Sequence, residues 1–294
     1  MAKGLREINS RIKSVKSTAQ ITRAMQLVAS SKMKRAQEAA LAGRDYEFLL
    51  ADILDSALDN LGEEYSHPLV QPREVKTRGI LLVTTDKGLC GALNANLFRL
   101  LNDIPRNAKF VAVGRRGAQH IARTGRTLMA EFTISDRVNF SEVRAPGEYL
   151  IKQFLDGTVD TVEIMYSHFK NTLIQIPMIM PLLPIGDLDK VMDQTLKRLG
   201  YDALPEREDK REMLFEPNAG EILAQLPAMY FKHSLYHAIL EAKASEQSAR
   251  MVAMKAATDN ATKITESLTL EYNKARQAAI TNEINEISAS TLAR

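Results

Sequence analysis

Proline is missing from both ends of this 294-residue chain, and glycine is missing from its C-terminal end. All ten prolines lie between Pro68 and Pro227, and no glycine follows Gly220. Proline removes an amide donor and clashes inside a helix, and glycine costs a helix about 1 kcal/mol relative to alanine. Two helix-compatible stretches of about sixty residues therefore enclose an interrupted middle, and a helix of that length spans about 90 Å. Such lengths indicate a coiled coil, a membrane span or a mechanical role.

Cysteine and long apolar runs are also scarce. The single cysteine, Cys90, excludes an internal disulfide and favours a reducing compartment. Residues 1–13 have no apolar core, so we expect no secretory signal, and the early Glu7 argues against a transit peptide. The uncharged run 171–186 contains three prolines and is shorter than the ~20 residues of a membrane span. If the chain works at a membrane, we expect it to act from outside the lipid.

Acidic residues are rare at the start of the chain. Residues 1–44 contain ten basic and two acidic side chains, a net charge of +8, whereas the whole chain carries +3. The remainder is therefore acidic. A basic arm of this density favours an acidic partner, which could be nucleic acid, an anionic membrane or an acidic protein surface.

A first helix is predicted from about Leu5 to Leu61, with Gly62 and Pro68 ending it. Its apolar residues step by four and three positions, the spacing of a coiled-coil seam. We expect this stripe to drift around the helix by two residues partway along. The residues concerned are Ile8, Ile12, Val15 and Ala19, followed by Ile21, Met25 and Val28.

Short β-branched runs alternate with helical segments in the middle of the chain. Strands are predicted at 79–85, 109–113, 126–133, 161–166 and 173–176, the last two as a possible hairpin, and helices at 92–102, 116–123 and 141–156, the last interrupted near Pro146. This alternation indicates a mostly parallel, Rossmann-like α/β sheet.

A last helix is predicted from Ala219 to near the C-terminus. Its apolar face begins at Leu235, is rich in alanine, and continues through Ile264, Leu268, Tyr272, Ala275, Ile280, Ile284 and Ile287. Since both terminal helices carry a stripe that needs burial, we predict that they pair as a long antiparallel coiled coil. The predicted divisions are a helix at 1–62, a central α/β domain at 75–186, a polar linker at 187–218 and a helix at 219–294.

The segment 84–94, TTDKGLCGALN, lies between a strand and a helix, where phosphate-binding loops occur. Gly88 and Gly91 match neither common glycine-rich pattern, so a tight packed turn is the favoured interpretation. We therefore predict no bound cofactor.

The sequence gives only weak support for a catalytic or metal site. Cys90 with His120 or His168 is a conceivable nucleophile pair, but a small buried cysteine is the better hypothesis. His233 and His237 stand four residues apart and could ligate zinc, but the H-E-x-x-H pattern is absent and a solvated or packed pair is favoured. No catalytic constellation remains.

Three segments carry a family resemblance. Residues 21–33, ITRAMQLVASSKM, closely resemble the first-helix motif of the gamma subunit of bacterial F-type ATP synthases, and 85–91 with Asn94 resemble its central signature. Residues 245–260 and 272–287 are similar to its C-terminal helix. The resemblance runs through essentially the whole chain in order.

The resemblance implies a non-catalytic rotor shaft that couples ion-driven rotation of the c-ring to ATP synthesis and hydrolysis at the beta subunits. It implies alpha and beta subunits, the epsilon subunit and the c-ring as partners, and no nucleic acid. Implied ring contacts are Met25, Lys32, Arg250, Arg276, Gln277, Thr281 and Glu283, and implied foot contacts to the c-ring and epsilon are Leu214, Phe215 and Glu216. The implied location is the cytoplasmic side of a bacterial plasma membrane, as a peripheral subunit.

The tail departs from the family pattern, since residues 288–294 are polar and lack glycine. Two alternatives stay open. One is a nucleotide-binding α/β enzyme with helical dimerisation arms, and the other is a basic coiled-coil protein that binds nucleic acid.

Overall fold

The computed structural model describes residues 2–61, 67–186 and 219–292. Two long helices, of 60 and 74 residues, precede and follow a five-stranded sheet in the chain. In chain order the elements are α1 (Ala2–Leu61), β1 (Arg78–Val83), α2 (Leu93–Arg99) with a 3₁₀ turn (Leu100–Asp103), β2 (Lys109–Val113), α3 (Arg115–Arg123), β3 (Thr127–Phe132), α4 (Phe140–Leu155), β4 (Thr161–Phe169), β5 (Gln175–Leu183) and α5 (Ala219–Leu292). The predicted fold class is confirmed. The linker at 187–218 and Gly62 lie outside the described residues.

The sheet has the order β3-β2-β1-β4-β5, and all pairs are parallel except β4 with β5. Side chains alternate between two cores across the central strand β1. Ile80 and Leu82 pack with α2 and α3, whereas Leu81 and Val83 pack with α4, α5 and part of α1. Burial on both faces explains why this strand is a continuous apolar run.

Two details differ from the sequence-based expectation. Pro146 does not interrupt α4, which is continuous from Phe140 to Leu155. The final strand begins at Gln175 and extends to Leu183 through Pro177 and Pro181. Because β5 is an edge strand, a residue that cannot donate to the ladder is tolerated there.

The chain forms two compact units, one made of Met1–Ser30 with Arg250–Arg294 and the other of Ser31–Ala249. In the second unit α1 and α5 run antiparallel. Gly43 lies against His237, and further along α1 the ring of Tyr46 lies 4.6 Å from that of His233.

In the first unit the buried positions of each helix follow one uninterrupted heptad pattern, with steps of three and four residues. The predicted drift of the α1 stripe is wrong: Thr22 and Ala29 are buried, whereas Ile21 and Val28 are 58% and 56% exposed. On α5 the half-buried or buried seam is Met254, Thr258, Ala261, Thr265, Leu268, Tyr272, Ala275 and Ala279. Ile264, Ile280 and Ile284, which the sequence pattern placed on the apolar face, are exposed. Small and hydroxylated residues replace large apolar ones in the seam because they allow a close approach of two helices.

Candidate functional site

The carboxyl edge of the sheet, where nucleotides bind in related α/β folds, is closed by α5. Thr84 and Thr85 at the end of β1 line a cavity of only about 10 Å³ together with Lys243 and Glu246. Nζ of Lys243 lies 3.2 Å from Oε2 of Glu246, and both side chains are buried. The space is that of about one water molecule, far below the ~300 Å³ of a small-molecule site.

The loop after β1 is a packed turn, as the sequence favoured. Nδ2 of Asn94 donates to Oγ1 of Thr85 at 2.7 Å, and that hydroxyl donates to the carbonyl of Lys87 at 2.8 Å. Cys90 is buried and contacts these same Thr85 and Asn94 side chains. His120 stacks on Phe98. The cysteine is thus a small buried residue within a hydrogen-bonded turn.

A buried polar cluster lies where α1, α5 and β4 meet in the second unit. His237 lies between the carboxylates of Glu47 and Glu241. Oγ of Ser234 donates to Oε1 of Glu47 at 3.0 Å. Oε2 of Glu241 accepts the hydroxyl of Tyr166 at 3.0 Å and lies 2.9 Å from Nδ1 of His168. We call these six residues the Glu47–His237–Glu241 cluster.

Sequence reasoning described His237 and His233 as a solvated or packed pair, and it missed both carboxylates. His233 in fact contacts the rings of Tyr46 and Phe140. Burial lowers the pKa of His233, and the nearby Glu47 carboxylate partly offsets this. The spacing of Glu241 four residues after His237 was the available signal, whereas Glu47 lies far away in sequence.

Most of the implied ring contacts lie on the first unit, and four of them share two turns of α5. Arg276, Gln277, Thr281 and Glu283 are all exposed. Oγ1 of Thr281 donates to the carbonyl of Gln277 at 3.0 Å. Met25 is half-buried and Arg250 is buried.

Lys32 belongs to the second unit, where its amine pairs with Oδ2 of Asp136 on the solvent-facing surface. The implied foot residues Leu214, Phe215 and Glu216 lie outside the described residues.

Within the described ranges, no group of three or more His, Cys, Asp or Glu side chains is arranged to hold a metal ion. Among those same residues, no helix is both long and apolar enough to cross a membrane.

Comparisons with known proteins agree with this architecture. The family model described as ATP synthase matches residues 4–293. The ATP synthase gamma chain of Opitutus terrae is 55% identical over 288 residues, with 98% of both chains covered. That of Methylacidiphilum infernorum is 41% identical over 294 residues, again covering 98% of each chain.

Chains of solved ATP synthase structures also align with this protein. The central stalk and c-ring structure of Tetrahymena thermophila mitochondrial ATP synthase contains a chain that aligns with a TM-score of 0.60 at 26% identity, covering 81% of this chain and 99% of that one. A chain of the Euglena gracilis mitochondrial ATP synthase aligns with a TM-score of 0.67 over 100% of this chain and 95% of its own, at 18% identity, which supports the fold alone.

Two long terminal helices, a central α/β domain and the alignment with a central-stalk chain define a central-stalk subunit of a rotary ATP synthase. The full-length match identifies which subunit. The chain belongs to the ATP synthase gamma chain family. The chain is a non-catalytic subunit of a membrane-associated complex.

Proposed function

We propose that the chain is the shaft that transmits ion-driven rotation of a c-ring to the catalytic beta subunits, inside a ring of alpha and beta subunits. The main support for this proposal is the exposed apolar surface of the first unit. Its helices bury a seam of their own and still expose Ile21, Leu27 and Val28 at 56–65%. Exposed apolar side chains in one stretch of helix indicate a surface that another protein covers.

The ring contacts that we propose are Met25, Lys32, Arg250, Arg276, Gln277, Thr281 and Glu283. The exposed polar group on α5 suits a sliding contact, since exposed polar pairs are worth at most about 1 kcal/mol each and break readily. The +8 charge of residues 1–44 suits an acidic surface on a beta subunit. Coupling then arises because different shaft angles favour different beta conformations.

The foot contacts to epsilon and the c-ring are proposed at Leu214, Phe215 and Glu216, within the linker 187–218. We also propose the domain divisions 1–62, 75–186, 187–218 and 219–294. The proposed location is the cytoplasmic face of a bacterial plasma membrane, as a peripheral subunit.

Reconstitution tests the proposal. The chain is co-expressed with its alpha and beta subunits, and the purified complex is assayed for ATP hydrolysis with and without it. We expect stable co-purification and higher ATP hydrolysis when the chain is present. Failure to co-purify, together with salt-dependent binding of the chain to DNA, would favour the nucleic-acid alternative.

A nucleotide titration of the isolated chain separates the remaining alternative. We expect no stoichiometric binding, because Lys243 and Glu246 fill the crevice at the carboxyl edge of the sheet. Tight one-to-one binding of ATP would support an enzyme instead.

A further inference from the structure

A small cavity lies at the carboxyl edge of the sheet, between the ends of β1 and β4 and the side of α5. Its volume is about 10 Å³. Polar residues form most of its lining, and they come from the end of β1, from α2, from β4 and from α5. They are Thr84, Thr85, Asn94, Ser167, Lys243 and Glu246. Five of the six are 1–6% exposed and Asn94 is half-buried, so the cavity is a buried polar space.

The amine of Lys243 has more donors than its protein neighbours use. An ammonium group carries three N–H donors. Nζ of Lys243 lies 3.2 Å from Oε2 of Glu246, and this is its one hydrogen-bond partner among the residues that the structure describes. The side chain of Lys243 is only 5% exposed. Bulk solvent therefore does not supply acceptors for the other two donors, and a buried donor without an acceptor is destabilising.

The size and the charge of the cavity restrict what can bind there. A space of this volume admits about one water-sized molecule. Lys243 and Glu246 carry opposite charges, and the other lining residues are uncharged. A bound ion would lack a counter-charge, which makes its burial unfavourable. The occupant that fits is a small neutral molecule that both accepts and donates hydrogen bonds.

We propose that one water molecule is bound in this cavity as a constant part of the structure. Its oxygen accepts a hydrogen bond from Nζ of Lys243, and its two protons are donated to the hydroxyl oxygens of Thr85 and Ser167. Buried water molecules typically make about three such bonds. The site consists of residues of the second unit alone, so it does not depend on the rotor function proposed above.

Thr85 has an acceptor position for this water. A hydroxyl group has one proton and two lone pairs. Oγ1 of Thr85 donates its proton to the carbonyl of Lys87 and accepts a hydrogen bond from Nδ2 of Asn94. The thiol of Cys90 is 3.9 Å away and is a weak donor. The second lone pair of Thr85 is therefore available to a stronger donor such as water.

The bound water would strengthen the closure of the crevice by α5. Lys243 belongs to α5, Thr85 follows β1 and Ser167 lies in β4, so a single molecule links the helix to two strands. A hydrogen bond through water is nearly as favourable in enthalpy as a direct one. Displacing the water by an apolar group should weaken the attachment of α5 to the sheet.

A high-resolution crystal structure of the full chain tests the site directly. We expect one density peak in the cavity, about 2.7–3.2 Å from Nζ of Lys243 and within hydrogen-bond distance of a hydroxyl of Thr85 or Ser167. A map that defines these side chains well and shows no peak in the cavity would overturn the proposal. This test does not depend on the folding of any variant.

A displacement experiment provides the second readout. Ala242 lines the cavity, and the added methyl groups of Ala242→Val should expel the water. We expect the thermal midpoint to fall by about 2–6 °C, since the donors of Lys243 lose their acceptor.

The matched background is the double variant Lys243→Met/Glu246→Gln, which has no buried ammonium. There Ala242→Val should lower the thermal midpoint by less than about half as much, because crowding and helix propensity are the same but no donor is left unpaired. Equal falls in both backgrounds would identify crowding as the whole effect and would contradict the bound water.

Discussion

Thr22 and Thr258 share a hydrogen bond across the two helices of the first unit, with their Oγ1 atoms 2.7 Å apart. Thr22 can also donate to the carbonyl of Ala19 and Thr258 to that of Met254. Each hydroxyl has one proton, so only two of these three bonds can form at the same time. One threonine therefore donates across the seam while the other donates within its own helix.

This pair should contribute a measurable coupling energy. Valine keeps the shape of threonine and removes the hydroxyl, so Thr22→Val, Thr258→Val and the double variant form a mutant cycle. We expect a coupling of about 0.5–1.5 kcal/mol in chemical denaturation. Thr265 lies on the same seam but donates to Ala261 within α5. Thr22→Val combined with Thr265→Val should be additive, and coupling there as strong as with Thr258 would refute the assignment.

Gly114→Ala should destabilise the α/β domain severely. Gly114 has φ +97°, and a Cβ atom there would collide with the carbonyl oxygen of Thr84. We expect a loss of about 3 kcal/mol or more in the free energy of unfolding. Gly125 is the control, because it has φ +65° and open space around its Cβ position. Gly125→Ala should cost about 1–2 kcal/mol, the backbone strain alone, and equal losses at both sites would contradict the collision.

Asp160 should stabilise the chain only while it is ionised. Backbone N–H groups of Thr77 and Lys76 donate to its Oδ2 at 2.7 and 2.9 Å, and the bond from Thr77 above all lowers the pKa of Asp160 below its ordinary 3.8. The stabilisation is therefore present above about pH 4 and is lost as the pH falls through the lowered folded-state pKa.

Asp160→Asn should cost about 1–3 kcal/mol at pH 7, and the gap to wild type should shrink below pH 4 in acid titrations of unfolding. Glu74, whose side chain is 81% exposed, is the control. Glu74→Gln should change the free energy of unfolding by less than about 0.5 kcal/mol. If the difference in the free energy of unfolding between wild type and Asp160→Asn became larger as the pH falls, the prediction would be wrong.

Lys32 and Asp136 allow a proposed ring contact to be separated from internal pairing. Their ion pair is exposed, so removing either side chain should cost at most about 1 kcal/mol of stability. If Lys32 contacts the ring, Lys32→Ala should lower the ratio of protons pumped to ATP hydrolysed in the assembled enzyme, whereas Asp136→Ala should not. Equal effects of both variants would assign the role to the internal pair.

Met25→Lys should impair coupling without unfolding the chain. Met25 is half-buried on an arm that is already strongly basic, so a further cation would disturb its fit against the ring. Leu27, which is 65% exposed and belongs to the proposed contact surface, should respond to Leu27→Lys in the same direction. The measurements are the pumping ratio and the thermal midpoint. An unchanged ratio in Met25→Lys would argue against the contact.

The extent of the helices and the positions of most strands along the chain could be predicted because they depend on local rules. The absence of proline permits α1, and the absence of both proline and glycine after Pro227 permits most of α5. The β-branched runs predict β1 and β2 closely. The α1 seam could not be followed beyond Ala19. Ile21 and Val28 satisfy the same spacing as Thr22 and Ala29, and apolarity alone favoured the wrong pair.

The sequence predicts the candidate site only where the residues concerned lie close together in the chain. The spacing of Gln277 and Thr281 predicts their common face on a helix, and the resemblance supplied their role. Lys32 pairs with Asp136, which is distant in sequence, and no local pattern contains that information.

The sequence by itself determined two long helices, a largely parallel α/β sheet between them and membership in a family of rotor subunits. Helix formation and strand formation respond to neighbouring residues, so composition and spacing are sufficient. The tertiary structure alone decided that α5 closes the crevice of the sheet with Lys243 and Glu246, and that His237 meets Glu47. Such contacts join residues far apart in the chain, and their energies arise only when packing removes water from both partners.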